Sequence, residues 1–178
     1  PESHILARTR CGHALARKEA VGDVALAGQR VARLVWRLMG AGKRSGYGVI
    51  RGLHYQLPPF PQTKLVRVLR GKILDVVVDI RKGSPAYGKV FSLVLSAKNK
   101  KQLLIPPGFA HGFSVLSKRA EVLYKCDNFY SKESEAGIIY NDPALKIDWR
   151  VPANEEVVSE KDLELPALEN CKNSFVYQ

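Results

Sequence analysis

Residues 74–81 read LDVVVDIR, and their side chains follow a period of two. One set consists of Leu74, Val76, Val78 and Ile80, and the other of Asp75, Val77, Asp79 and Arg81. Alternate residues of an extended chain point to opposite sides, so this pattern is typical of a strand with one apolar face. The sequence therefore predicts a half-buried β-strand here.

Further short strands are predicted on both sides of this stretch, at residues 65–69, 90–95, 103–105, 113–116, 122–126 and 138–140. Turn signals rich in Gly, Pro, Ser and Asn separate them, for example at residues 82–85 and 106–108. Many short strands at regular spacing indicate a sandwich, a barrel or a jelly roll. A looser tail rich in Asp, Glu and Pro follows from about Asp142.

The first 44 residues differ in composition from the rest. They are rich in Ala, Arg, Val and Gly and contain no Phe, Tyr or Asn. Residues 26–38 predict a basic amphipathic helix that packs one apolar stripe on the core. With 178 residues the chain is long enough for a single domain. We divide that domain into an atypical N-terminal segment (1–44), a β core (45–140) and a C-terminal segment (141–178).

A formal net charge of +11 raises the question of a nucleic-acid partner. Residues 1–44 carry nine basic and three acidic side chains, whereas residues 45–178 carry 19 and 14. A positive cleft for a phosphorylated small molecule explains the mild excess in the β core equally well. No apolar run approaches the ~18–20 residues that span a bilayer. We therefore predict neither a nucleic-acid nor a membrane partner.

The three cysteines, Cys11, Cys126 and Cys171, are odd in number and widely spaced. Such spacing fits neither a disulfide framework nor a zinc site. The start, Pro1 to His4, lacks the basic and apolar regions of a signal peptide. These features favour a cytoplasmic protein with free thiols.

Two of the four histidines lie in similar settings. His54 is part of RGLHYQ (51–56), and His111 is part of GFAHGF (108–113); each is expected in a Gly-flanked turn beside apolar sequence. The rest of the chain offers no nucleotide-binding loop, no metal-ligand cluster and no serine nucleophile elbow. Imidazole titrates near neutral pH and can take and return protons. Acid–base chemistry is therefore the leading hypothesis from the residues alone.

Other residues are candidates because of their position near these histidines. A Pro-rich loop at 58–61 is expected to return the chain, so that Lys64 and Arg51 lie near His54. A lysine in that place could stabilise a developing oxyanion. Tyr124 is expected in a strand that Tyr130 ends, and spacing alone favours core or rim aromatics there. Asp162 belongs to SEKD (159–162), which reads as a helix cap.

Taken together, the motifs of residues 45–166 resemble those of the dTDP-4-dehydrorhamnose 3,5-epimerase family. Each motif is short, but their order and spacing are specific. The matching segments are RGLHYQ (51–56), QTKLVRV (62–68), DVVVDIR (75–81), Ser84-Pro85, Tyr87-Gly88, PPGFAHGF (106–113), LYK (123–125), NDP (141–143), IDW (147–149) and SEKD (159–162).

This resemblance implies a mainly β fold, a cupin-type double-stranded β-helix (jelly roll) with a few short helices. It also implies a homodimer, no metal and no cofactor. The implied substrate is a dTDP-4-keto-6-deoxyhexose whose C3 and C5 protons are acidified by the C4 ketone. The implied catalytic residues are His54 as base, Asp162 as its orienting carboxylate, Lys64 beside the enolate oxygen and Tyr130 as acid. The implied substrate contacts are Arg51, Gln56, His111 and Tyr124.

The chain departs from the family pattern before residue 45. The family has Phe- and Glu-rich strands there and a Gln-x-Asn pair, at whose place this chain has Met39 and Ala41. Either nucleotide recognition has diverged, or a reading-frame error has replaced the true sequence of residues 1–44. The intact mass of the purified protein distinguishes these two interpretations.

Three alternatives to a double epimerase remain at this point. The first is an epimerase that inverts only C3 or only C5. The second is a metal-dependent cupin enzyme, disfavoured because Tyr55 and Gln56 follow His54 where a second histidine ligand is usual. The third is a non-catalytic binding barrel whose basic N-terminal helix attaches to another macromolecule.

Overall fold

The computed structural model describes residues 7–8 and 43–178, with side chains from residue 45 onward. The predicted helix at 26–38 and the pair Met39 and Ala41 lie outside the described residues. The described residues form ten strands: β1 (Ala7–Arg8), β2 (Lys43–Gly46), β3 (Ile50–Gln56), β4 (Lys64–Arg70), β5 (Lys72–Asp79), β6 (Val90–Ser96), β7 (Gln102–Ile105), β8 (Phe109–Val115), β9 (Arg119–Cys126) and β10 (Glu135–Gly137).

These strands form two antiparallel five-stranded sheets. The first has the order β1-β7-β4-β9-β2 and the second β10-β3-β8-β5-β6. The helical elements are short: α1 (Glu160–Leu163) and 3-10 turns at Ala153–Glu155 and Leu168–Asn170. The prediction of a mainly β, cupin-type jelly roll with a few short helices is confirmed. The part of the chain that the structure describes contains no helix with the length and apolar character of a membrane span.

Apolar side chains form two cores, one on each face of the second sheet. The first core lies between the sheets and includes Val66, Val77 and Phe113. The second lies on the outer face, where Leu145 and Trp149 of the C-terminal segment cover β5 and its neighbours. The C-terminal residues are thus part of the packed structure, because they remove the outer face of this sheet from water.

The prediction of a half-buried strand at residues 74–81 is wrong in one respect. Every residue of β5 after Lys72 is buried, and the aspartates Asp75 and Asp79 are 0% and 2% exposed. One face of β5 meets the first core and the other meets the second. The carboxylates are tolerated in the interior because both are hydrogen-bonded, Asp75 to His111 and Asp79 to Arg81 and Ser84.

The predicted strand at 138–140 is also wrong, since β10 ends at Gly137. The chain leaves the sheet there because the N–H of Ile139 donates to the carbonyl of Pro166 in the C-terminal segment. β8 begins four residues before the predicted 113, directly after Gly108. The strands predicted within β4, β5, β6, β7 and β9 are confirmed.

A β-bulge in β3 decides which side chains face the space between the sheets. Arg51 pairs with Phe113 of β8 and His54 with His111, so Gly52 and Leu53 lie together opposite the single residue Gly112. In a regular strand, Arg51 and His54 would point to opposite faces, being three residues apart. The extra residue brings both to the inner side.

Replacing Gly52 with alanine is expected to destabilise the fold by about 3 kcal/mol. Gly52 has φ +109°, and a Cβ atom there would lie 2.6 Å from Gly112 Cα and 2.7 Å from the carbonyl oxygen of His111. Both neighbours are backbone atoms of the paired strand β8, so they cannot move away without breaking strand pairing. Urea denaturation would measure the loss.

Gly83→Ala is the matched control. Gly83 also has a positive φ, +82°, but a Cβ there meets nothing within 4 Å. Its substitution should cost only the backbone strain, about 1 kcal/mol. Equal losses for the two variants would contradict the clash at Gly52.

Candidate active site

A cavity of about 470 Å³ opens between the two sheets. All eight side chains singled out from the sequence line it: Arg51, His54, Gln56, Lys64, His111, Tyr124, Tyr130 and Asp162. They come from β3, β4, β8, β9, the loop after β9 and α1. Because β3 and β4 form opposite walls of the sandwich, residues close in sequence face each other across the cavity.

His54 and Asp162 form a hydrogen-bonded pair, with His54 Nε2 2.8 Å from Asp162 Oδ1. Asp162 is 1% exposed, and its other oxygen accepts from the N–H of Gly52 at 3.3 Å. Burial raises the pKa of Asp162, but the hydrogen bonds and charge of His54, with the bonds from Gly52 and Ser159, outweigh it and lower that pKa. The resulting carboxylate accepts the Nε2 proton, which leaves Nδ1 with the free lone pair.

The helix-cap prediction for residues 159–162 is confirmed. Ser159 is the N-cap of α1, and its hydroxyl accepts from the N–H of Asp162. The cap fixes the first turn, and the turn aims the Asp162 carboxylate at His54. The side chain that the sequence assigned to capping thus belongs to the cavity, and Ser159 does the capping.

A second histidine–aspartate pair lies one strand away. Nε2 of His111 is 3.0 Å and 3.1 Å from the two carboxylate oxygens of Asp75. The two histidines occupy opposite positions of β3 and β8. The expectation that they lie in Gly-flanked turns is therefore wrong. The glycines serve the bulge and the close strand contact: a Cβ on Gly112 would lie 2.6 Å from the carbonyl oxygen of Arg51.

Lys64 begins β4, and its ammonium lies 3.5 Å from the carbonyl oxygen of His54. Burial lowers the pKa of Lys64, which opposing contributions from Cys126, Glu135 and Asp75 only partly restore. Arg51 lines the same cavity, and its buried Nε has no hydrogen-bond partner among the described residues. The predicted proximity of Lys64 to His54 is confirmed, and Arg51 lines the same cavity. They give this end of the cavity a positive wall.

Tyr130 lies in the loop beyond β9, which ends at Cys126, so the expectation that Tyr130 ends that strand is wrong. Its side chain is at the cavity rim, 57% exposed, and its hydroxyl donates to Glu135 Oε2 at 2.7 Å. The same oxygen accepts from Lys161 Nζ at 2.5 Å. The hydrogen bond to Glu135 raises the pKa of Tyr130, so the phenol holds its proton at rest.

The amide of Gln56 is committed to main-chain groups. It donates to the carbonyl oxygens of Phe60 (2.6 Å) and Phe129 (3.0 Å), and its own oxygen accepts from the N–H of Ser131 (2.9 Å). These bonds tie the Pro-rich loop to both neighbours of Tyr130. Both amide hydrogens are used in this way, so only a lone pair of the oxygen is left for a ligand.

The remaining predicted residue, Tyr124, lies in β9 and packs against the core between the sheets. Burial raises its pKa, so its hydroxyl is a neutral hydrogen-bonding group in the cavity wall. Beside it, Cys126 lines the cavity with a thiol whose pKa is raised by burial.

Three groups of the site were not singled out from the sequence: Glu135 and Lys161, which line the cavity, and Asp75, which is bonded to His111. Asp75 was assigned to the polar side of a half-buried strand, although an aspartate between Leu74 and Val76 in an apolar strand was a signal for a buried pair. Glu135 belongs to no motif. Lys161 is part of SEKD but was not separated from the cap. Among residues 45–178, no three His, Cys, Asp or Glu side chains are grouped as metal ligands would be.

Comparisons with known proteins agree on one family. The sequence model of the dTDP-4-dehydrorhamnose 3,5-epimerase family matches residues 40–170. The dTDP-4-dehydrorhamnose 3,5-epimerase of Shigella flexneri is 54% identical over 120 residues, which are 67% of this chain. The match spans 65% of the length of that relative.

Two solved structures share the fold. The dTDP-6-deoxy-D-glucose-3,5-epimerase of Legionella pneumophila, in complex with dTDP-4-keto-L-rhamnose, has a TM-score of 0.73 and 44% identity, covering 82% of this chain and 77% of that one. A double mutant of a 3'-monoepimerase from Streptomyces bikiniensis, in complex with dTDP, has a TM-score of 0.75 and 26% identity, covering 95% and 86%.

Proposed function

The chain belongs to the dTDP-4-dehydrorhamnose 3,5-epimerase family, and on that premise we propose that it inverts C3 and C5 of dTDP-4-dehydro-6-deoxy-D-glucose to give dTDP-4-dehydro-L-rhamnose. Both carbons are α to the C4 ketone, so removal of either proton gives an enolate. Reprotonation from the opposite face inverts the centre. This reaction supplies dTDP-rhamnose biosynthesis and needs no cofactor.

The observation that carries the proposal is the His54–Asp162 pair beside Lys64 and Tyr130 in one cavity. In our assignment, Nδ1 of His54 removes the carbon proton, and Asp162 stabilises the imidazolium that forms. The Lys64 ammonium stabilises the oxygen of the enolate. Tyr130 donates a proton from the other face. Two of these groups hold the protonation state that their role requires, because the pKa of Asp162 is lowered and that of Tyr130 is raised.

We assign the nucleotide end of the substrate to the positive wall. The unpartnered Nε of Arg51 supports this assignment, because a buried guanidinium nitrogen without an acceptor is costly and a diphosphate oxygen would satisfy it. His111, held by Asp75, and Tyr124 offer further hydrogen-bonding groups to the sugar. Gln56 can offer only its oxygen to a substrate hydroxyl.

Incubation with dTDP-4-keto-6-deoxyglucose in deuterated water tests the reaction. Deuterium should appear at C3 and at C5, as followed by NMR, together with conversion to the L-rhamno product. Deuterium at one carbon alone would favour the single-centre epimerase, a reading supported by the likeness to a 3'-monoepimerase. No exchange from the folded protein would overturn the proposal and favour a binding barrel.

We also propose that the chain forms a homodimer and works in the cytoplasm. The outer face of the first sheet supports a dimer, because it carries Leu65, Leu69, Leu104 and Leu123, of which Leu69 is 51% exposed. Free thiols at Cys126 and Cys171 support a reducing compartment. Light scattering of the purified protein gives the oligomeric state, and a monomeric mass would contradict the dimer.

A further inference from the structure

Three side chains, Tyr130, Glu135 and Lys161, are joined by hydrogen bonds at the rim of the cavity. Glu135 Oε2 accepts from the Tyr130 hydroxyl at 2.7 Å and from the Lys161 ammonium at 2.5 Å. The Glu135 side chain is 17% exposed, whereas that of Lys161 is 59% exposed. One carboxylate oxygen therefore joins the phenol at the cavity rim to an ammonium group in contact with water.

This cluster is attached to the elements that hold the base. Glu135 lies in β10 opposite Gln56 of β3, and two residues further on Gly137 lies opposite His54. Lys161 directly precedes Asp162 in α1. The charged and titratable groups that act on Glu135 are Tyr130, Lys161, His54 and Lys64. The cluster is thus rigidly placed beside the catalytic pair.

The proposed reaction creates a need for a proton donor to Tyr130. Each inversion transfers one proton from carbon to His54 and one proton from Tyr130 to the opposite face of the same carbon. His54 then holds one proton too many, and Tyr130 is a phenolate that lacks one. Neither the second centre nor the next substrate can react in the same direction until both groups are reset.

We propose that Glu135 and Lys161 return the proton to Tyr130 after each inversion. The Lys161 ammonium gives a proton to Oε2 of the Glu135 carboxylate, Glu135 passes that proton on to the Tyr130 phenolate, and water then reprotonates Lys161. The surplus proton of His54 leaves to water, so protons and charge balance over the cycle. Glu135 thus acts through Tyr130, as a positioning and proton-supplying residue, and the inference rests on the proposed function.

The electrostatics of the cluster agree with this direction of transfer. The bond to Glu135 raises the pKa of Tyr130, which favours return of the proton to the phenolate. The same carboxylate raises the pKa of Lys161, which keeps the ammonium charged between turnovers. Burial raises the pKa of Glu135, but the bonds from Lys161 and Tyr130 outweigh burial and lower that pKa. Glu135 is therefore a carboxylate at rest and holds a proton only during the transfer.

Glu135→Gln tests the relay, because its amide oxygen can still accept from Tyr130 but cannot carry a proton. The first turnover, measured with enzyme in excess in deuterated water, should stay within about threefold of wild type at the first carbon inverted. The steady-state rate should fall by about 10²-fold, and added imidazole buffer should restore it. Lys161→Gln should show the same pattern with a smaller loss.

Glu133→Gln is the matched control. Glu133 lies in the loop between β9 and β10 that carries Tyr130, and its exposed carboxylate accepts from the Ser131 hydroxyl. This variant and wild type should turn over at equal rates that do not depend on buffer concentration.

Three results are unfavourable. Equal losses in the first and later turnovers of Glu135→Gln, without rescue by buffer, would mean that Glu135 only positions Tyr130 and would overturn the relay. An unchanged steady-state rate would overturn it as well. Wild-type protein that fails to turn over at all would overturn the proposed function, and the relay with it.

Discussion

Replacing His54 with alanine is expected to stop the reaction, with a loss of about 10²–10⁴-fold in kcat. The imidazole has the one free lone pair that Asp162 orients in the cavity, since Nε2 is bound to the carboxylate at 2.8 Å. Deuterium exchange at C3 and C5 should disappear together, because both depend on removal of a carbon proton. NMR in deuterated water measures both carbons in one experiment.

The alanine variant also leaves Asp162 without its side-chain partner at 1% exposure. Asp162 then keeps only the bonds from Gly52 and Ser159, and a buried oxygen left without its partner costs about 1–3 kcal/mol, so lost activity alone does not separate a missing base from a destabilised fold. His54→Gln separates the two effects, because its amide can donate to Asp162 but cannot act as a base. We expect near-native thermal stability and no exchange. Exchange within tenfold of wild type in either variant would contradict the assignment of the base.

The strands were predictable wherever a local pattern specified them, and less so where distant contacts decide. The period of two in residues 74–81 specified β5, because alternation is a property of neighbouring residues. It could not specify that both faces are buried. The face with Leu74 and Val76 is covered by Leu145 and Trp149, some 70 residues later, and the face with Asp75 and Val77 meets the other sheet. Asp75 was misjudged for the same reason.

The two glycine-rich histidine segments show a similar limit. Glycine beside histidine was taken as a turn, whereas Gly52 and Gly112 face each other across β3 and β8. The requirement for glycine comes from backbone atoms of the paired strand, which lie 2.6 Å from a Cβ at either position. Sequence reveals that a residue is small but not which neighbour demands it.

Some residues of the candidate site were also predictable from the sequence and others were not. The family resemblance named eight residues, and the fold brings all eight to one cavity. The hydrogen-bond partners of these residues, such as Asp75 and Glu135, were not predicted. Glu135 stands in a three-residue strand without a motif, and its contact to Tyr130 depends on the course of a loop. Supporting residues are recognised by the partners they touch, and only a structure supplies those.

Replacing Lys64 with methionine is expected to lower kcat by about 10²–10³-fold, because the cation that we assign to the enolate oxygen is lost. Both carbons share that oxygen, so exchange at C3 and at C5 should fall by the same factor. Lys64 begins β4 with its ammonium turned into the cavity, and burial lowers its pKa. Steady-state kinetics with NMR detection measures the loss.

The melting temperature of the Lys64→Met protein should stay the same or rise. Methionine fills a similar volume and removes a charge that is costly to bury. Lys72→Met, at the exposed first residue of β5, is the control for the loss of one positive charge at the start of a strand. A Lys64→Met protein with kcat within threefold of the Lys72→Met protein would place the enolate oxygen elsewhere. A raised melting temperature with a lost rate would instead mean that the buried charge is kept for the chemistry, at the expense of stability.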